Sequence, residues 1–133
     1  MGTLIDTSVF VATERGRLDP ATLSHEDDAE EIAMAAITAA ELLHGVHRLE
    51  GAVARTRAER FVEGLLSSIP VMPFDLHVAR VHARLDAELS AAGTPVGEAD
   101  LMIAATAVAL DYRVATRDLR SFPRIQGLNI VRW

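Results

Sequence analysis

The sequence predicts an α/β fold of three layers, in which helices cover both faces of a central, mostly parallel sheet of about four to five strands. Short apolar stretches alternate along the chain with longer segments of helical hydrophobic periodicity. This alternation is typical of parallel sheets with crossover helices. The 133 residues contain no internal repeat, low-complexity tract or interdomain linker, so we expect one domain over residues 1–133.

Each predicted strand is a short apolar stretch with polar or turn-forming neighbours. The strands cover residues 3–5, 32–37, 70–74, 113–116 and 128–131. Asp6 follows the first strand directly. The second strand has the weakest signal because its alanines are poor strand formers. Pro70 and Pro73 restrict the third strand, and the fourth and fifth are identified by their apolar character near the C-terminus.

Helices are predicted where apolar residues recur every three or four positions. They cover residues 8–13, 38–49, 52–68, 75–92 and 97–111. Leu42, Val46 and Leu49 mark the second helix, Gly93 ends the fourth, and the fifth is the most hydrophobic. Residues 16–28, before the second strand, are polar and rich in turn formers.

The chain has no cysteine and no lysine, which excludes several kinds of site. Without cysteine there is no disulfide, zinc ribbon or thiol nucleophile. Without lysine there is no P-loop lysine and no Schiff base. The sequence opens without the features of a signal peptide and has no apolar run near the roughly 18 residues that span a bilayer. We therefore expect a cytoplasmic protein that does not enter a membrane.

The formal net charge of −6 is unfavourable for a nucleic-acid binder, but the acidic residues are unevenly distributed. One run contains Glu26, Asp27, Asp28, Glu30 and Glu31, and a solvated face or loop is the simplest interpretation of it. The rest of the chain is nearly neutral. It becomes positive if four further acids are neutralised by metal, so the charge is compatible with a polyanionic substrate.

Those four acids stand where apolar segments begin or end: Asp6, Glu41, Asp100 and Asp118. Ligands of parallel α/β sheets bind at the carboxyl ends of the strands, and all four positions can converge there. Two like charges about 4 Å apart repel by about 4 kcal/mol at an effective dielectric near 20. A divalent cation neutralises such a cluster, and hard oxygen ligands suit Mg²⁺ or Mn²⁺.

Three of the acids also have a purely structural interpretation. Asp6 is suited to cap the helix that follows it. Thr38 and Glu41 have the spacing of a capping box, in which the glutamate reaches back to the helix start. Asp118 is suited to organise a turn. Taken singly, none of these three positions identifies a site.

Asp100 is harder to explain by local structure alone. It heads the apolar face of a predicted helix that packs on the sheet, where a charge needs a partner. Glu98 is the competing acid, but it lies about 200° away around the same helix. We therefore expect Asp100, and not Glu98, to face the pocket.

The four acids and their neighbours together resemble a known family. Asp6 lies in Ile-Asp-Thr-Ser, Glu41 in Thr-Ala-Ala-Glu-Leu, Asp100 opens Asp-Leu-Met-Ile-Ala-Ala, and Asp118 ends Thr-Arg-Asp. This set resembles a PIN domain and, with the chain length, most closely resembles the VapC ribonuclease toxins of bacterial type II toxin–antitoxin pairs. The resemblance covers essentially the whole chain and implies a PIN-like α/β/α fold.

The resemblance implies a metal-dependent endoribonuclease that hydrolyses RNA, with tRNA or rRNA as the substrate class. The implied catalytic and metal-binding residues, around one or two Mg²⁺ or Mn²⁺ ions, are Asp6, Glu41, Asp100 and Asp118. Ser8 and Thr116 are candidates to orient a carboxylate or a water molecule, with a local turn or cap role as the alternative. The implied partners are a VapB-type antitoxin that blocks the site, a second copy in a homodimer, and promoter DNA bound through the antitoxin complex.

Other functions compete with this one. A signalling receiver domain also clusters acids on an α/β fold, but its phosphorylation chemistry uses a lysine, which this chain does not have. A non-catalytic PIN-like interaction module would use the acids only to bind a metal or an arginine of a partner. A housekeeping RNA-processing PIN nuclease would share the site. A small antitoxin-like reading frame immediately upstream would favour the toxin.

Three further features have two interpretations each. The arginines near Asp118 are either phosphate contacts or a solvated basic edge: Arg113, Arg117, Arg120 and Arg124. His44 and His47 are either a metal-binding pair or a solvated or partner-facing pair. The apolar stripes of the helices in residues 38–68 pack in the core, and any surplus forms a groove for an antitoxin helix or a dimer face.

Overall fold

The computed structural model describes residues 2–23 and 30–133. Within them the strands are β1 (Thr3–Ile5), β2 (Ile32–Ala35), β3 (Val71–Met72), β4 (Arg113–Thr116) and β5 (Ile130–Arg132). The helices are α1 (Thr7–Glu14), α2 (Ala36–Arg48), α3 (Ala52–Ser68), α4 (Leu76–Ala92) and α5 (Glu98–Leu110). Two 3₁₀ turns cover Pro20–Leu23 and Phe122–Arg124.

The strands form one sheet in the order β3-β2-β1-β4-β5, and every neighbouring pair is parallel. β1 is central: Thr3 lies opposite Ile32 on one side and Arg113 on the other. The predicted parallel sheet of four to five strands is therefore confirmed. Because β1 lies in the middle, its carboxyl end opens between those of β2 and β4, where ligands bind in sheets of this kind.

Alternate side chains of the central strands enter two separate apolar layers. Leu4 and Ala33 pack with α4 and α5, whereas Ile5 and Met34 pack with α1, α2 and α3. All four of these side chains are fully buried. A parallel strand with helices on both faces is buried on both sides, which explains why the strands are continuously apolar. The predicted three-layer architecture is confirmed.

The most hydrophobic helix, α5, occupies the centre of one apolar layer, and Leu101, Ile103 and Ala105 are buried there. Its apolar character therefore reflects packing between the sheet and α4. None of the helices described in residues 2–23 and 30–133 combines the length and apolar character needed to span a bilayer.

The boundary between β2 and α2 differs from the prediction. β2 ends at Ala35 and α2 begins at Ala36, so the helix includes residues that were expected to be strand. Alanine favours a helix as soon as the sheet no longer holds the chain extended. Thr38 consequently lies inside the first turn of α2, and Ala35 is the N-cap residue. The capping-box interpretation of Thr38 and Glu41 is therefore wrong.

The two outer strands are also shorter or shifted. β3 is only two residues long instead of the predicted 70–74, since Pro70 and Pro73 stand on either side of it. Proline has no N–H to donate to a neighbouring strand. β5 pairs over Ile130–Arg132 instead of 128–131. Neither change alters the order of the sheet or the position of its carboxyl edge.

Part of the acidic run ties the amino edge of the sheet together. Glu30 accepts a hydrogen bond from the Arg113 guanidinium, which also donates to the Thr3 hydroxyl. Tyr112 donates to the Glu31 carboxylate, and this hydrogen bond is the main reason that the pKa of Tyr112 is raised to about 12. Glu30 and Glu31 are thus paired, whereas the other acids of the run, residues 26–28, lie outside the described residues.

Thr38 offers a test of the corrected helix start. Its side chain is fully buried, and within the described residues its Oγ1 has no hydrogen-bond partner. Leaving a buried hydroxyl unpaired costs about 1–3 kcal/mol. We expect Thr38→Val, which keeps the shape and removes the hydroxyl, to raise the free energy of unfolding by about 1 kcal/mol in chemical denaturation.

Thr106→Val is the matched control. Thr106 is equally buried, but its Oγ1 donates to the Met102 carbonyl oxygen at 2.8 Å. Losing that bond is expected to leave stability unchanged or lower it by about 1 kcal/mol. An equal gain in both variants would show that the effect comes from valine itself and not from an unpaired hydroxyl.

Candidate active site

Three helices begin at the carboxyl edge of the sheet and bring acidic side chains with them. Asp6 lies between β1 and α1, Glu41 lies in the second turn of α2, and Asp100 lies in the first turn of α5. Asp118 follows β4 by two residues. The amino-terminal end of a helix carries a partial positive charge, so α1 and α5 favour negative charge at this edge. The structure therefore brings all four predicted acids to one region.

Asp6 is the most buried of the four acids and is held by two hydroxyl groups. Its side chain is 5% exposed. Ser8 donates from Oγ to Oδ2 at 2.7 Å, and Thr116 donates from Oγ1 to the same oxygen at 2.9 Å. Asp6 occupies the N-cap position of α1, but its carboxylate makes no capping hydrogen bond. The capping interpretation of Asp6 is therefore wrong.

The same hydroxyls connect β1 to the segment that follows β4. Thr116 is fully buried, and its Oγ1 accepts the backbone N–H of Asp118 at 2.9 Å. The Ser8 Oγ accepts the backbone N–H of Arg117 at 3.0 Å. These bonds hold the backbone of residues 117 and 118 against the start of α1. Ser8 and Thr116 therefore position the Asp6 carboxylate and the Asp118 backbone together.

Glu41 extends from α2 toward the same carboxylates. Thr7 donates a hydrogen bond from Oγ1 to its Oε1 at 2.8 Å. The Glu41 residue is exposed overall, yet enough protein surrounds its carboxylate that burial raises its pKa, and the charges of Asp6 and Asp100 raise it further. The Thr7 hydrogen bond opposes this rise. Sequence reasoning missed Thr7, although its place directly after Asp6 was a usable signal.

Asp100 is half-buried and lies within the electric field of two other acids. Burial is the main cause that raises its pKa, and the charges of Asp6 and Asp118 add to it. A hydrogen bond from the Ser121 side chain and the charge of Arg120 act in the opposite direction. Ser121 was also missed by sequence reasoning, and the only signal was a hydroxyl three residues after Asp118.

Glu98 points elsewhere, as the helical geometry predicted. Its carboxylate lies 3.1 Å from Nε2 of His82 on α4, and its side chain is 73% exposed. The expectation that Asp100 rather than Glu98 faces the acidic cluster is confirmed. Glu98 therefore serves as an acid of the same helix that lies outside the site.

Asp118 differs from the other three acids because a cation lies against it. Its Oδ1 accepts from the backbone N–H of Arg120 at 3.0 Å and from the guanidinium Nε at 3.2 Å, and its Oδ2 lies 3.4 Å from Nη2. The hydrogen bonds from Arg120 lower the pKa of Asp118. The turn-forming interpretation of Asp118 is correct, since the hydrogen bond from the Arg120 N–H closes a local turn. The same carboxylate also lies in the acidic cluster.

The other three arginines near Asp118 bind partners outside the four-acid cluster. Arg113 lies at the opposite edge of the sheet with Glu30, Arg117 donates to the Trp133 carbonyl oxygen at 3.0 Å, and Arg124 donates to the Pro95 carbonyl oxygen at 2.8 Å. Arg113 therefore fits neither the phosphate-contact nor the basic-edge interpretation, because the first residue of a parallel strand lies far from its carboxyl end.

The donor groups of the cluster fit a hard divalent cation, although their present orientations do not enclose one. Within residues 2–23 and 30–133, no three acidic or histidine side chains are close enough to coordinate a single ion as they stand. Each carboxylate turns instead toward a hydroxyl or a guanidinium. Burial is the main cause of the raised pKa values of Glu41 and Asp100, and the negative charges of neighbouring acids raise both further. Carboxylate oxygens are the ligands that Mg²⁺ and Mn²⁺ prefer.

His44 and His47 do not belong to the cluster. Both are exposed on α2, and neither lies in a group of the described residues that could hold a metal. The structure therefore favours a solvated or partner-facing pair over a metal-binding pair.

Known proteins match this chain over almost its whole length. The family model of the PIN domain matches residues 3–128. The ribonuclease VapC1 of Rickettsia felis is 34% identical over 131 residues, which cover 98% of this chain and 96% of the relative. The tRNA(fMet)-specific endonuclease VapC of Salmonella typhimurium is 32% identical, with 98% and 96% covered.

A solved structure agrees with these sequence matches. The crystal structure of DNA-bound VapBC from Salmonella typhimurium contains a chain that superposes on this one with a TM-score of 0.85 at 29% identity, covering 100% of this chain and 98% of that one. Family model, sequence relatives and fold all lead to the same assignment. This chain belongs to the PIN-domain family and, within it, to the VapC proteins.

Proposed function

We propose that this protein is the metal-dependent endoribonuclease toxin of a toxin–antitoxin pair. The observation that carries the proposal is the convergence of four carboxylates at the carboxyl edge of the sheet, with the pKa values of Glu41 and Asp100 raised by burial and by their acidic neighbours. Holding such a cluster without a cation is unfavourable, so the site is built to receive positive charge. The ribonuclease relatives supply the reaction class.

Asp6 and Asp100 are the proposed direct ligands of Mg²⁺ or Mn²⁺, and Glu41 and Asp118 complete the site directly or through water. A divalent ion bound here would lower the pKa of a water molecule and neutralise charge that develops on the scissile phosphate. The residues of the chain supply the rest. Ser8 and Thr116 fix the Asp6 carboxylate, Thr7 does the same for Glu41, and the Ser121 hydroxyl stabilises the charged form of Asp100. One or two ions are compatible with four carboxylates.

The proposed substrate is a structured RNA of the tRNA or rRNA class. One relative is a tRNA(fMet)-specific endonuclease. The chain contains only four Phe, one Tyr and one Trp, which is too few to form a stacking platform for single-stranded bases. Recognition through RNA shape and phosphates is therefore favoured.

A groove beside the site is the proposed seat of a VapB-type antitoxin. It has a volume of about 700 Å³, lies between α1, α2 and α3, and begins at Thr7 and Glu41. Leu42, Val46 and Phe61 give it apolar walls, which suit the apolar face of a helix. A segment bound there would cover Glu41 and so inhibit the enzyme. The related VapBC structure is bound to DNA, and we extend to this protein a homodimeric toxin whose antitoxin complex binds promoter DNA.

The first test is the loss of activity on removing one ligand charge. We expect Asp100→Asn to reduce Mg²⁺- or Mn²⁺-dependent cleavage of tRNA or rRNA by about 100-fold or more, since even outer partners of metal ligands are worth about 10–100-fold. Glu98→Gln, which neutralises an acid of the same helix that faces His82, is expected to keep wild-type activity. Wild-type cleavage by a folded Asp100→Asn protein would refute the assigned role.

The second test measures stability and does not need the substrate. A raised pKa in the folded state favours the protonated carboxyl, so Asp100 and Glu41 contribute stability below their ordinary pKa values of 3.8 and 4.5, and this contribution is lost as the pH rises through the raised values. At pH 7 the melting temperature of the metal-free wild type should therefore be a few degrees lower than that of Asp100→Asn.

Added Mn²⁺ should reverse that order, because the ion stabilises only a protein that binds it. We expect a larger rise in melting temperature for the wild type than for Asp100→Asn, measured by differential scanning fluorimetry with and without EDTA. Identical melting curves for the two proteins at pH 7, with and without Mn²⁺, would show that Asp100 carries no electrostatic strain and holds no ion.

The third test addresses the biological role. Expression of the wild type in bacteria is expected to arrest growth, and Asp100→Asn is expected to be harmless. Co-expression of the small reading frame immediately upstream should relieve the arrest. Harmless expression of soluble wild-type protein that cleaves RNA in vitro would favour a housekeeping nuclease over a toxin.

A further inference from the structure

Arg120 is the cation that lies against the acidic cluster. Its guanidinium contacts both carboxylate oxygens of Asp118, at 3.2 Å and 3.4 Å. The same charge acts on Asp100, where it partly opposes the rise in pKa that burial causes. Arg117 and Arg124, on the same segment, are bound instead to carbonyl oxygens of the main chain.

The Arg120 side chain is not needed to form the local turn. The backbone N–H of Arg120 already donates to Oδ1 of Asp118 at 3.0 Å, and that bond closes the turn for any residue other than proline at this position. The side chain itself is 90% exposed. Its guanidinium therefore adds charge to the cluster rather than support to the fold.

The contact between Arg120 and Asp118 is weak enough for another cation to replace Arg120. Ion pairs with so exposed a partner contribute little, because water screens them and two side chains must be ordered to form them. The Asp118 carboxylate has two oxygens, and both face the guanidinium. Asp118 therefore has to turn away from Arg120 before it binds a divalent ion. An ion that arrives in the cluster also repels the guanidinium.

We propose that Arg120 is an exchangeable counter-ion: it neutralises Asp118 when no metal is bound, is displaced when a divalent ion occupies the acidic cluster, and then binds a phosphate of the RNA substrate. This inference rests on the proposed function, since it assigns a phosphate-binding residue to that same site. A guanidinium released beside a metal-bound scissile phosphate finds there the oxyanion geometry that it binds in a bidentate manner. Arg120 thus couples metal loading to substrate binding.

The proposal predicts two effects of opposite sign in Arg120→Ala. Without a competing cation, Mn²⁺ should bind about two- to fivefold more tightly, as expected for loss of an exposed ion pair. Without a phosphate contact, the KM for tRNA should rise about tenfold while kcat changes little. The measurements are Mn²⁺ titration followed by electron paramagnetic resonance, and steady-state cleavage of bulk tRNA at saturating Mn²⁺.

Arg84→Ala is the matched control. Arg84 also forms an exposed ion pair, with Glu88 at 3.2 Å on α4, but away from the cluster. Its substitution removes the same charge and should change neither the Mn²⁺ affinity nor the KM for tRNA. Arg120→Lys keeps the charge without the planar fork, so its KM should lie between those of the wild type and Arg120→Ala. Circular dichroism and melting curves establish that each variant is folded.

An unchanged Mn²⁺ affinity in folded Arg120→Ala would overturn the exchange, and an unchanged KM would overturn the phosphate contact. Equal effects in Arg84→Ala would show that both changes come from the loss of a positive charge anywhere on the protein and not from the position of Arg120. If the wild type binds Mn²⁺ but cleaves no RNA, the proposed nuclease function fails, while the Mn²⁺ titration still decides whether Arg120 competes for Asp118. If the wild type binds no Mn²⁺, both proposals fail.

Discussion

Repulsion between carboxylates is the constraint on which this structure depends. Asp6, Glu41 and Asp100 come from three different elements, and the fold keeps them near enough that the charge of Asp6 raises the pKa of both Glu41 and Asp100. Hydroxyl groups hold two of them directly, from Ser8 and Thr116 to Asp6 and from Thr7 to Glu41. These neutral donors orient the acids without cancelling their charge. The cluster thus stays ready for a cation, at the expense of stability in its absence.

The core is what makes this arrangement tolerable. Both faces of the central strands are buried against helices, so β1 and β4 are held firmly on either side of the site. Thr116, at the end of β4, is fully buried and bonds both to the Asp6 carboxylate and to the Asp118 backbone. A strained polar cluster persists only where its surroundings fix it in place. The apolar layers provide that support here.

Membership of the PIN-domain family gives these observations a common explanation. The metal-dependent ribonuclease proposed above would need a divalent cation beside a polyanion, so its site would have to attract the first and accept the second. Four acids with one exposed arginine among them provide both charges. The charge distribution is compatible with RNA as a substrate despite the net charge of −6, because four of the 19 acids are at the site and five are in the run at residues 26–31, which leaves ten acids against 13 arginines in the rest of the chain.

The sequence by itself determined the fold class, the parallel sheet and the choice of Asp100 over Glu98, because hydrophobic periodicity and helical geometry are local properties of the chain. The tertiary structure decided the start of α2, because alanine favours a helix wherever the sheet does not hold the chain extended. It also decided the partners of each acid. Thr7 and Ser121 lie against acids that come from other elements, and Arg113 pairs with Glu30 at the opposite edge of the sheet. Such contacts depend on how whole elements pack, and no short stretch of sequence encodes them.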